Sequence, residues 1–242
     1  MTERSYTDNG LRIVEDNFKR VKDEIAEAAV KAGRAPEDVK LMAVTKTVEP
    51  IFINKVIQCG AELIGENKVQ EVLNKKDELD LSSCKLHLIG HLQTNKVKQI
   101  VGEVSAIQSV DSVKIASEIG KYSLKKGITT DILLEVNIGK EESKFGFLPE
   151  EVEERACEIA EIEGVKVRGL MTVPPFIDDK EKIHGFFSNM RQLFIDIGAK
   201  KIHNIDMTVL SMGMSADFAL AVAEGSTLVR VGTAIFGMRH YD

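Results

Sequence analysis

Eight short β-like runs recur along this chain, and a helical run follows nearly every one. The β-like runs are KLMAVTK (40–46), AELIGEN (61–67), KLHLIG (85–90), SAIQSV (105–110), DILLEVN (131–137), VKVRGLM (165–171), IDMTVLSM (205–212) and STLVRVG (226–232). Helical patterns fill 50–59, 67–79, 94–101, 112–126, 149–162, 178–197 and 215–224. Such alternation demands parallel strands joined by right-handed crossovers. The runs are largely apolar rather than cleanly alternating, as strands covered on both faces are. Eight units in about 200 residues fit a closed (β/α)8 TIM barrel of the α/β class better than an open doubly wound sheet.

No Gly/Ser/Pro-rich linker or charge block divides the 242 residues, so one domain is expected over 1–242. Residues 1–36 form an extra N-terminal helix and 40–242 the barrel. In that helix Leu11, Val14, Phe18, Val21, Ile25 and Ala28 make one apolar stripe. Gly33 and Pro36 end it. Further on, Ser215 is placed to cap the 215–224 helix and Gly225 to stop it.

The charge balance is 32 basic against 38 acidic residues, a net −6, with the basic residues scattered. That argues against nucleic acid as a partner. Aromatics are only 5% and Trp is absent, which excludes a base-stacking platform. Cys59, Cys84 and Cys157 lie far apart with no CxxC or Cys/His metal spacing. They read as small buried hydrophobes of a protein in a reducing cytoplasm, with no metal site. The start, MTERSYTDNG, has no apolar signal region. No run approaches the roughly 18 apolar residues of a membrane helix.

In a barrel the working residues stand at the carboxyl ends of the strands. Met42, Val44 and Lys46 share one strand face, so a lysine is expected at the barrel mouth. Partial desolvation there frees an amine for an aldehyde or ketone; the bland alternative is a strand-end lysine reaching solvent. Across the mouth, the loops after strands seven and eight carry Ser211, Gly213 and Ser215, then Gly232 and Thr233. Glycine backbone and hydroxyl groups in those two loops suit a phosphate; two tight turns are the alternative. Together the features suggest an aldehyde bearing a phosphate, either pyridoxal 5′-phosphate (PLP) or a sugar phosphate in a Schiff-base aldolase. Arg230 shares the inward face with Leu228. As a permanently charged donor it would keep a pyridine nitrogen unprotonated and the ring a weak electron sink. Its alternative role is a salt bridge to Glu66 or Asp206.

Several stretches carry a resemblance. AVTKT (43–47), IGENKVQE (64–71), HLIGHLQTNK (87–96), SVDS (109–112), VNIGKEESKFG (136–146), GLMTVPP (169–175), LSMGMSAD (210–217) and STLVRVGTAIFG (226–237) resemble, in order, the pyridoxal phosphate homeostasis proteins (YggS/PROSC-like). That family is similar to the N-terminal barrel of alanine racemase. The resemblance implies that Lys46 is the Schiff-base lysine and that Asn67 lies in the cofactor-side loop. It also implies phosphate binding by the 211–215 and 232–233 loops, with Arg230 near the pyridine nitrogen. Departures are Lys68, where the family often has tyrosine, and Gly139 and Phe145, where serine is common.

Racemisation needs a proton removed on one face and returned on the other. Alanine racemase takes its second base, a tyrosine, from a partner's C-terminal domain, and this chain ends about five residues after GTAIFG. Tyr6, Tyr122 and Tyr241 lie at the termini or mid-helix. The expectation is a monomeric cytoplasmic protein without efficient racemase activity. It holds PLP as a Schiff base for PLP homeostasis and delivery, with apo PLP-dependent enzymes as recipients. A PLP-dependent racemase-like enzyme of weak or unknown activity is the alternative. His87 and His91 form no helical metal pair. The acidic helix 149–163 reads as a solvated face, with a docking patch for apo-enzymes as its alternative.

Overall fold

The computed structural model describes residues 3–237. Eight parallel strands close into one barrel in sequential order. They are β1 (Lys40–Val44), β2 (Leu63–Glu66), β3 (Lys85–Leu88), β4 (Ala106–Val110), β5 (Thr130–Glu135), β6 (Val165–Met171), β7 (Ile205–Ser211) and β8 (Leu228–Val231). Closure is made by β1 against β8, with Met42 beside Arg230 and Ala43 beside Val231. The barrel is the one the alternation predicts. Most strands are shorter than the apolar runs that announce them, because the run continues into the loop that follows.

Around the strands run α2 (Pro50–Gln58), α3 (Val69–Lys75), α4 (Val97–Ile100), α5 (Val113–Lys126), α6 (Val152–Ala160), α7 (Lys180–Ala199), α8 (Phe218–Ala223) and α9 (Thr233–Phe236). The long amphipathic helix, α1 (Glu3–Lys31), packs on α2, α8 and α9. Val14, Phe18, Val21, Ile25 and Ala29 are its buried stripe. Each large side chain there contributes roughly 1.5–3 kcal/mol by leaving water. Ala29, not Ala28, finishes the stripe at depth, since Ala28 is only partly buried.

The core has two compartments. The larger lies between strands and helices. The smaller, inside the barrel, joins Met42, Leu63 and Leu228 with Ile89 and Val209. Below it Arg168 ties β6 to β5 and β7, donating to Asp131 and Asp206, each at 2.9 Å. Asp206 is therefore occupied and does not serve Arg230.

Two local expectations are corrected. Helix α8 begins at Phe218 with Asp217, not Ser215, at its N-cap position. Asp217 Oδ1 accepts from Met214 N at 2.6 Å and closes the preceding turn, which leaves Ser215 upstream of the helix. Of the cysteines, Cys84 is buried and Cys59 half-buried, but Cys157 is exposed. It lies on α6, whose buried face is Val152, Ala156, Ile159 and Ala160.

Candidate functional site

Lys46 follows β1 by two residues and is half-buried. Its strand face is set below it: Met42 lies within the barrel, and Val44 joins Lys46 in lining a cleft of about 460 Å³. Thr47, Phe52, Gly232 and Thr233 share that cleft, and Ile13 and Val14 of α1 wall its far side. The lysine and the loop after β8 thus meet in one cavity, because β1 and β8 are neighbours at the barrel closure. Gly232 has φ −117°, a conformation open to any residue. An added Cβ there would stand 3.4 Å from Val44, inside the cleft.

The loop after β7 lies outside the cleft wall. Gly213 is required by packing: at φ 93° its Cβ would come 2.5 Å from that of Ala221. Its carbonyl accepts from Arg230 N at 3.0 Å, tying this loop to β8. Ser215 is half-buried in the turn before α8. Asn67, just beyond β2, also stands off the cleft wall. Its backbone presses on the β3 loop, where a Cβ on Gly90 would meet the Asn67 carbonyl at 2.3 Å.

Ser211 is fully buried, and its hydroxyl is committed within the barrel. Its Oγ accepts from Arg230 Nη1 at 2.6 Å and donates to Gln108 Oε1 at 2.8 Å. The hydroxyl expected to donate to a phosphate thus makes two contacts inside the barrel, one of which holds the arginine. Arg230 Nη2 donates to the Thr172 carbonyl at 2.7 Å. Glu66, the other suggested partner for Arg230, is engaged instead by Lys75 and Thr45. Burial pulls the Arg230 guanidinium down to about 10, against the opposing charges of Glu135 and Asp217. It still carries its charge at neutral pH.

The fold also gathers interior polar groups that no sequence spacing brings together. Gln108 Nε2 meets His87 Nδ1 at 3.0 Å, so a polar chain runs His87–Gln108–Ser211–Arg230–Thr172 through the barrel. Burial pushes His87 down to about 4. Glu135, at the end of β5, is pushed up to about 7 by burial and then by Asp111. The visible signal for Glu135 was its period-two match to Leu133 in DILLEVN. Asn137, the last residue of the DILLEVN run, lies beyond β5, and its side chain closes a turn with the Glu141 backbone.

Nearby, His91 Nδ1 lies 2.8 Å from Asp111 Oδ2. The Phe145 ring stacks on His91 at 3.5 Å between centroids and 11° between planes. The second departure from the family pattern, Gly139, admits Pro175, whose Cγ would stand 2.2 Å from an added Cβ.

Residues 17–240 match the family described as alanine racemase, N-terminal domain. A pyridoxal phosphate homeostasis protein of Aquifex aeolicus is 42% identical over 226 residues, covering 93% of this chain and 98% of that protein. A solved structure from Bifidobacterium adolescentis, described as an unknown protein, superposes with TM-score 0.91 at 39% identity, covering 95% and 96% of the two chains. The structure of PipY from Synechococcus elongatus PCC7942 with PLP bound gives 0.77 at 33% identity, covering 88% of this chain and all (100%) of that one. The likeness runs the length of the barrel, and the chain belongs to the pyridoxal phosphate homeostasis proteins of the alanine racemase N-terminal domain family.

Proposed function

We propose that this protein binds pyridoxal 5′-phosphate and serves its homeostasis, with Lys46 as the covalent anchor. The observation that carries the reading is the shared cleft: Lys46, Gly232 and Thr233 line one cavity of about 460 Å³. The PLP-bound PipY relative supports it. When bound, the coenzyme presents an aldehyde to a primary amine and a phosphate to hydrogen-bond donors.

The residues present fit both demands. Lys46 supplies the amine, on a strand end that packing below it fixes. Gly232 leaves its backbone open to the cleft, and Thr233 adds a hydroxyl at the start of α9, where the first N–H groups lack intrahelical acceptors. Gly213 and Ser215 support the phosphate side from the neighbouring turn, and Asn67 the side of β2. Arg230 is held by Ser211 and Thr172, and the charges of Glu135 and Asp217 support its own.

The role is storage and delivery in the cytoplasm, as a monomer, to apo forms of PLP-dependent enzymes. A racemase needs a second group on the opposite face of the substrate. Tyr122, the tyrosine whose side chain is described, lies in α5 on the outside of the barrel beneath Lys121 and Lys125. Tyr241 lies outside the described residues, as does the side chain of Tyr6. The relatives' name supports the carrier reading.

The test is direct. The purified protein mixed with PLP gains a visible absorbance band from the lysine adduct, and Lys46→Ala abolishes it. A panel of chiral amino acids shows no turnover. Robust racemisation would move the protein to the enzyme class.

A further inference from the structure

Beneath the turn that presents Lys46 lies a buried ion cluster that the binding reading does not use. Glu66 at the end of β2 is fully buried, and Lys75 and Glu71 of α3 are 13% and 19% exposed. Lys75 Nζ donates to Glu66 Oε1 at 3.0 Å and to Glu71 Oε2 at 2.8 Å. Thr45 Oγ1 donates to the same Glu66 oxygen at 2.7 Å.

The cluster also grips the backbone on both sides of the lysine. Lys75 Nζ donates to the Thr45 carbonyl at 3.0 Å, which is the peptide unit entering Lys46. Thr47 N donates to Glu71 Oε2 at 2.7 Å, which is the peptide unit leaving it. Thr47 sits at φ 61°, a left-handed conformation costly for a β-branched residue. The bond to Glu71 holds it there. The Thr47 hydroxyl donates back to the Lys46 carbonyl at 2.6 Å.

Stability alone is a poor reason for this arrangement. Glu66 Oε2 is buried with no hydrogen-bond partner among the described residues. Burial raises the Glu66 carboxyl, opposed by Thr45 and Lys75. Burial also acts to raise Glu71, but Lys75 and the Thr47 N–H outweigh it and hold that carboxyl low. A buried ion cluster with an orphan oxygen is at best neutral beside an apolar replacement. Such clusters do fix geometry, because each charge accepts only a few directions of approach.

Resting on the assignment of Lys46 as the anchor, we infer that Glu71 and Lys75, braced by Glu66, are positioning residues that lock the two peptide units flanking Lys46 and so aim its amine into the cleft. They touch neither aldehyde nor phosphate. Their effect falls on the rate at which Lys46 captures an aldehyde, since misplacing a reacting group is costly in rate. Affinity for the phosphate depends on the β8 loop instead.

The experiment compares Glu71→Ala, Glu71→Gln and Lys75→Met with the natural chain. Samples mixed with PLP are fixed with borohydride at timed intervals, and the Lys46 adduct is counted by mass. In parallel, pyridoxine 5′-phosphate, which lacks the aldehyde, reports the phosphate affinity alone. Glu71→Ala and Lys75→Met are expected to slow capture by roughly tenfold or more with pyridoxine 5′-phosphate affinity unchanged. Glu71→Gln, which keeps an acceptor for Thr47 N, restores most of the rate. Native capture rates in Glu71→Ala, or a parallel loss of capture and phosphate affinity, would overturn the positioning role. Lys46→Ala separates the two readings: a full adduct count in that variant refutes the anchor itself.

Discussion

Arg230 Nη1 stands 2.6 Å from Ser211 Oγ in the closed interior of the barrel, and its other terminal nitrogen reaches the Thr172 carbonyl at 2.7 Å. The guanidinium fork spans two neighbouring strand ends, which fixes the plane it presents to the mouth.

Lysine cannot reproduce that fork, because its single ammonium is a point donor on a flexible stem. Arg230→Lys is expected to lose at least one of the two bonds and cost about 1–3 kcal/mol. Urea unfolding at pH 7 measures it. An unchanged midpoint would mean that the fork is not what holds Ser211 and Thr172.

Glu135 gives the barrel mouth a pH dependence. Its carboxyl is raised from 4.5 to about 7, so the folded state binds its proton more tightly than the unfolded chain does. The associated stability is complete below the unfolded value and lost as pH rises through about 7. Glu135→Gln should therefore be more stable than the natural chain at pH 8, by roughly 1–3 kcal/mol, and nearly equal to it at pH 4. Because the Arg230 charge lowers this carboxyl, Arg230→Met should push its titration higher still. Carbon-detected NMR titration of Glu135 follows both effects, and a midpoint near 4.5 would contradict them.

His87 has the opposite sign. Burial, with Lys85 and Lys40, lowers it from 6.5 to about 4. Its contribution is present above the unfolded value and lost as pH falls through about 4. His87→Leu should flatten the acid limb of the stability profile. It should also cost about 1–3 kcal/mol at pH 7, since the Gln108 amide loses its acceptor. Thermal melts from pH 4 to 7 distinguish this from an inert core histidine, which would leave the slope unchanged.

The barrel was legible because its signal is one of order: apolar runs and helices in alternation leave few topologies. The place of Lys46 at the cleft was legible for a local reason, the period-two face it shares with Met42 and Val44. Gly232 and Thr233 followed from their place after the last strand. Ser211 was legible as a strand end but not in its orientation. Which way its hydroxyl turns is decided by Gln108, a residue 103 positions away. Glu135 was hidden because the apolar run continues past the end of β5 to Asn137. Glu66, Glu71 and Lys75 look like ordinary helix and strand charges in sequence. Only the packing of α3 against the β1 turn converts them into a clamp.

The proposed function turns on the attachment of pyridoxal phosphate to Lys46. Borohydride reduction of the PLP-treated protein, followed by proteolysis and peptide mass mapping, tests it most directly. One stoichiometric label is expected, on the peptide containing Lys46, and none in Lys46→Ala. A stoichiometric label on another lysine, or no label at saturating PLP, would contradict it.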